Sequence, residues 1–187
     1  MAGPYLVRCL EMQGKTDEAA SIRFECQAIS ARLSQAKVQD VERKILEIQN
    51  LNLYGKHDLA VVACQDLLES ANNAGDISLR WKVIELEMES LWGQDDFEGI
   101  VSLWDSARSE GLNYQDQVVI RIKNMVSHAL RKVGRVQEAA KVNIEVRSDK
   151  RTETDQTEFL YAKENEARIQ YALKNYREAR KLKDEVV

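Results

Sequence analysis

One proline and eight glycines are spread over 187 residues, too few for the tight turns an all-β domain needs. Cysteine is scarce and odd in number: Cys9, Cys26 and Cys64 show no CxxC spacing, which argues against a disulfide framework and for reduced thiols packed in helices. Only His57 and His128 carry imidazole, and neither has an acid, a cysteine or a second histidine at the i,i+4 spacing of a helical metal site. The chain also lacks GxGxxG, GxxxxGK[ST], GxSxG and HExxH patterns, so nucleotide-binding and hydrolase fingerprints fail. The acidic run Asp95-Asp96-Phe97-Glu98-Gly99 has neither the alternating ligands nor the closing glutamate of a calcium loop, and reads instead as a turn with a helix cap. No apolar run reaches the length of a membrane span, and Met1-Ala2-Gly3-Pro4 lacks the basic-then-apolar layout of a secretory signal. A cytoplasmic or nuclear location is the expectation, with no metal, no cofactor and no catalytic centre.

What is present favours helix. Hydrophobic residues make up 44% and charged residues 31% of the chain, with a net charge of −4, a composition that buries a core and stays in water. The apolar spacing is helical in two windows: Trp81, Ile84, Met88, Leu91 and Trp92 share one face, and Val119, Ile122, Val126, Ala129, Leu130 and Val133 share another. Asp40 and Asp76 each precede a periodic run and are expected N-caps, while Gly75 and Gly111 are expected to close the preceding helices.

The chain repeats. Gly14-Lys15-Thr16-Asp17-Glu18-Ala19, Gly55-Lys56-His57-Asp58-Leu59-Ala60, Gly134-Arg135-Val136-Gln137-Glu138-Ala139 and Lys174-Asn175-Tyr176-Arg177-Glu178-Ala179 share one pattern, with a divergent copy at Asp95-Asp96-Phe97-Glu98-Gly99-Ile100. Their last residues step by 39 to 41 positions, a period that marks stacked helix hairpins. Each turn is expected to end a helix A and start a helix B, and the closing alanine to sit where the two helices cross too closely for a larger side chain. The segment from Val126 to Ala139, with its Ala129-Leu130 pair, Gly134 and Glu138-Ala139, resembles the core of a tetratricopeptide repeat. Leu6, Leu10, Gly14 and Ala19 fit the same template, as do Ala167, Tyr176, Glu178 and Ala179, and Trp104 and Ala107 fall at helix-B positions of the third copy.

The resemblance implies an all-α fold, a right-handed solenoid of about five antiparallel hairpins and ten helices over residues 1–187, with longer units than the family's usual ones. It further implies a scaffold for protein–protein interaction whose A helices line a concave groove. The positions pointing into that groove are Arg121, Asn124, His128, Arg131 and Lys132 in the fourth unit, and Tyr161, Glu164, Arg168 and Tyr171 in the fifth. They read as a basic patch suited to an acidic peptide segment, with His128 facing groove or solvent.

The charge is strongly patterned: nine acids stand against Arg108 over 85–116, and nine bases against Glu138, Glu145 and Asp149 over 121–151. Solvated faces that attract across neighbouring units account for this at about 0–1 kcal/mol per exposed pair. Nucleic acid along the basic unit is disfavoured by the acidic unit beside it and by the lack of interleaved aromatics. A short first unit and a stop shortly after Ala179 raise a further expectation, self-association or completion by the rest of a larger chain. The alternative function is a structural segment of a large multi-domain or kinase-like assembly.

Overall fold

A computed structural model describes residues 16–108, 117–149 and 155–185. Among these the chain is all-helical, with eight helices: α1 (Thr16–Leu53), α2 (His57–Ala74), α3 (Ile77–Gly93), α4 (Phe97–Arg108), α5 (Gln117–Lys132), α6 (Val136–Arg147), α7 (Gln156–Ala172) and α8 (Tyr176–Asp184). The chain divides into two compact units, Met1–Leu46 and Glu47–Val187. In the first, the described residues belong to α1 and are mostly exposed, with Phe24, Ile29, Val38 and Leu46 among the exposed apolar side chains.

In the second unit, neighbouring helices pack in pairs: α2 with α3, α3 with α4, α5 with α6 and α7 with α8. In addition α5 lies against both α3 and α4, and α7 against both α5 and α6. The shared core is built from the periodic residues of α3 and α5 together with Ile100, Trp104, Ala139 and Val142.

The repeated turn is visible as backbone geometry. Gly55, Asp95, Gly134 and Lys174 all adopt positive φ, at 69°, 56°, 83° and 65°. The next amide in each turn reaches back five residues, Lys56 to Leu51, Asp96 to Leu91, Arg135 to Leu130 and Asn175 to Gln170, at 2.8–2.9 Å. This is the Schellman closure of a helix, which requires one left-handed residue. Glycine supplies it without strain in two turns; Asp95 and Lys174 adopt it with a Cβ in place, at a cost of about 1 kcal/mol each. Five residues beyond each left-handed position stand Ala60, Ile100, Ala139 and Ala179, exposed by 0%, 0%, 0% and 7%. The position is therefore buried in each described copy, by alanine in three and by isoleucine in the divergent third.

Asp76 caps α3 by accepting a hydrogen bond from the Leu79 amide at 2.9 Å, and Gly75 closes α2 at φ 66°. Asp96 caps α4 through the Gly99 amide at 2.9 Å. Asp40, expected to open a helix, does not. α1 runs through it unbroken, and its carboxylate is engaged by Arg43 at 2.6 Å and Lys44 at 3.4 Å. The flanking stretch Ala36 to Lys44 holds neither glycine nor proline, so nothing halts propagation. The turn expected at Gly14 and the helix end expected at Gly111 lie outside the described residues.

A buried polar chain ties three helices together. Asn165 on α7 donates to Ser127 on α5 at 2.8 Å, and Ser127 donates to the Ala139 carbonyl on α6 at 2.9 Å. All three residues are buried, so each of these bonds exempts a polar group from a desolvation cost of about 1–3 kcal/mol.

Candidate functional site

Helices α3, α5 and α7 turn one face each toward a cavity of about 360 Å³, lined by Glu85, Glu89, Trp92, Arg121, Asn124, Met125, Glu158 and Tyr161. These are the A helices of three successive units, so the period of the chain is what aligns them. Of the residues expected in a groove, the structure brings Arg121, Asn124 and Tyr161 together here.

Glu85 is 1% exposed, and it is held by Lys82 at 2.6 Å from its own helix and by the Arg121 guanidinium from α5. A carboxylate that deep must be paired to remain charged. The same hydrogen bond, working against partial burial, holds the Arg121 guanidinium above its ordinary range. Glu89 has its carboxyl raised, first by desolvation at the cavity wall and then by the Glu85 charge, with Lys82 and Arg121 opposing. Asn124 donates to the Glu158 carboxylate at 2.6 Å and to the Glu158 carbonyl at 3.3 Å, while its own Oδ1 is buried without a hydrogen-bond donor. Burial pushes the Tyr161 phenol up to about 12.

The sign of this cavity differs from the expected basic patch. Three carboxylates, Glu85, Glu89 and Glu158, face one guanidinium. The bases gather instead toward the C-terminal end of α5. There Arg131, partly buried, is lowered by desolvation and by the nearby Arg168 charge, and Lys132 places its ammonium 5.3 Å from the Phe97 ring centroid.

His128 does not face groove or solvent. It is 6% exposed, with its ring 4.5 Å from that of Trp92 and 5.8 Å from that of Phe97, and Arg131 Nη2 lies 3.4 Å from Nε2. Its α5 register places it over the α3–α4 turn, where two aromatic rings close around it. Burial, reinforced by the charges of Arg131, Arg168 and Lys132, lowers its pKa from 6.5 to about 4, so it is a neutral packing residue at pH 7.

Glu164, Arg168 and Tyr171 fall elsewhere. They line a second cavity, of about 570 Å³, with Ala167, Tyr176, Ala179, Arg180 and Lys183 on the outer face of α7 and α8. Glu164 and Arg168 pair with each other at 2.5 Å along one helix, and Tyr171 stacks edge-on to Tyr176 at 5.2 Å between centroids. The predicted patch is thus three places: an acidic-lined cavity, a basic shoulder and a separate aromatic cleft. Glu85, Glu89 and Glu158 were missed as site residues. The signal was available, because Glu85 and Asn124 occupy equivalent repeat positions 39 residues apart.

The opposed charges of the third and fourth units do meet. Arg121 reaches Glu85, and Arg135 reaches Asp105 at 2.9 Å while also gripping Glu138 at 2.6 Å. Among the described residues, no three histidine, cysteine or acidic side chains converge as a metal site, and no helix is long and apolar enough to cross a membrane.

No protein-family model matches this chain, and no curated protein or solved structure matches it significantly.

Proposed function

We propose that the chain is a tetratricopeptide-like right-handed solenoid whose concave A-helix face holds a segment of a partner protein, and that it is not an enzyme. The observation that carries this reading is the convergence of α3, α5 and α7 on one cavity. It offers apolar walls from Trp92, Met125 and Tyr161 and polar groups at fixed positions, the combination that recognises an extended or helical peptide. The groups inside it are engaged with one another, Arg121 with Glu85 and Asn124 with Glu158, which suits orientation and charge selection rather than chemistry.

The partner segment carries a basic side chain for the Glu85, Glu89 and Glu158 cluster. Any acidic residue it bears falls against Arg131 and Lys132 on the basic shoulder, in line with the acidic segment expected for these bases.

A photo-crosslinking amino acid placed at Tyr161, with one at the exposed Ile144 of α6 as control, tests the reading in cells. The Tyr161 position is expected to give discrete protein adducts that Glu89→Lys removes. Identical adducts from both positions, or adducts indifferent to Glu89→Lys, would overturn the groove.

A further inference from the structure

Inside the cavity between α3, α5 and α7, each helix leaves one acceptor without a donor among the described residues. Asn124 of α5 is 1% exposed, and its Oδ1 accepts no hydrogen bond while its amide nitrogen donates to Glu158. Glu158 of α7 takes that bond on Oε2, which leaves Oε1 unengaged. Glu89 of α3 lines the cavity and is exposed, and no hydrogen bond or ion pair among the described residues engages its carboxylate. A buried amide oxygen left unmatched carries a desolvation penalty, which a donor entering the cavity removes.

The missing donor is cationic. Glu85 is neutralised twice, by Lys82 and by Arg121, whereas neither Glu89 nor Glu158 forms an ion pair among the described residues. Two uncompensated carboxylates beside an open amide oxygen fit a cation that carries N–H groups. A guanidinium is a planar fork suited to two acceptors on one group, but an alkylammonium spreads three donors around one nitrogen, and here single acceptors come from three helices. Trp92 and Met125 supply wall for an aliphatic stem. At about 360 Å³ the cavity stands near the small end of ligand pockets, about 300–1,000 Å³, which is room for one side chain.

We infer that this cavity takes a primary alkylammonium group, presented as a lysine side chain of the partner segment, with its N–H donors shared among Glu89, Asn124 Oδ1 and Glu158. The inference rests on the concave face holding such a segment, and it adds the identity of the anchor: unmodified lysine, in preference to arginine or methylated lysine.

Amide NMR of the isotope-labelled full chain, with the Asn124 side-chain NH₂ as reporter, is titrated with lysine capped by acetyl and methylamide groups. Saturable shifts with a Kd of about 1–10 mM are expected. Binding weakens about fivefold for capped arginine and for the capped trimethyl form, which keeps the charge of lysine and loses every N–H. Glu89→Gln is expected to weaken lysine about fivefold; Glu89 is exposed, so the fold survives the change, which circular dichroism checks. Trimethyl-lysine or arginine binding as tightly as lysine would overturn the inference, and so would indifference to Glu89→Gln. Butylammonium separates the two sources of the group: a lysine-centred pentapeptide at least about tenfold tighter supports a protein partner, and equal affinities overturn the peptide source. Protein adducts at Tyr161 without lysine binding would remove the ammonium seat and leave the groove, whereas lysine binding without adducts would keep the seat and remove the groove.

Discussion

Acidification is expected to destabilise this protein through His128 before most of its carboxylates titrate. Above about pH 6.5 the imidazole is neutral in both folded and unfolded chains and contributes no pH dependence. Below that value the unfolded chain takes up a proton that the folded one refuses until about pH 4. The unfolded state therefore binds more protons across this window, and stability falls with pH. With those two values the loss is about 2 kcal/mol by pH 5 and approaches about 3 kcal/mol near pH 4. Glu87 and Glu89 work in the opposite direction, because burial raises their carboxyls in the fold, so the raw pH profile is a sum. His128→Phe isolates the term: it keeps an aromatic ring between Trp92 and Phe97 and removes the proton site. Urea denaturation at pH 7 and pH 5 is expected to show the wild type losing about 2 kcal/mol more than the variant between the two conditions. An equal loss in both proteins would refute the burial of a neutral His128.

Three further outcomes follow from the same packing. Asp95→Gly and Lys174→Gly are each expected to stabilise by about 0.5–1 kcal/mol in chemical denaturation, since the left-handed turn then loses its Cβ strain, whereas Gly134→Ala at φ 83° is expected to destabilise by about 1 kcal/mol. Ala139→Leu is expected to cost about 1–3 kcal/mol by overpacking the α5–α6 crossing, seen as a lowered melting temperature. Gly93→Ala places a Cβ 2.2 Å from the His57 ring. It is therefore expected to give little or no stability in the wild type but to gain about 1 kcal/mol of helix propensity in a His57→Ala background, a difference a thermal double-mutant cycle reads directly.

The all-helical class, the turn period and the core faces of α3 and α5 were legible in the sequence because each depends on local chemistry. Helical periodicity decides which residues are buried, and a turn that needs one left-handed residue and one small crossing residue recurs at a fixed interval. The divergent third copy differs in its cap as well, since Asp96 holds the start of α4 with its carboxylate whereas Lys56, Arg135 and Asn175 make no side-chain cap hydrogen bond.

Asp40 shows the limit of this local reading. An acid ahead of a periodic run is a cap only if the backbone breaks there, and Arg43 and Lys44 compete for the carboxylate within an uninterrupted helix. His128 shows another, since its register on α5 was readable but the rings of Trp92 and Phe97 closing over it belong to other helices.

The sequence by itself therefore determined the helical class, the repeated turns and the buried residue that follows each of them. The tertiary structure alone decided the sign and extent of the candidate site. Net charge along the chain counts residues, but the field in a cavity depends on which side chains meet there. Packing α5 against both α3 and α7 buries Glu85 beneath Arg121 and brings Glu158 to Asn124, so carboxylates from the acidic third unit and from α7 outnumber the one guanidinium that the basic fourth unit sends into the cavity.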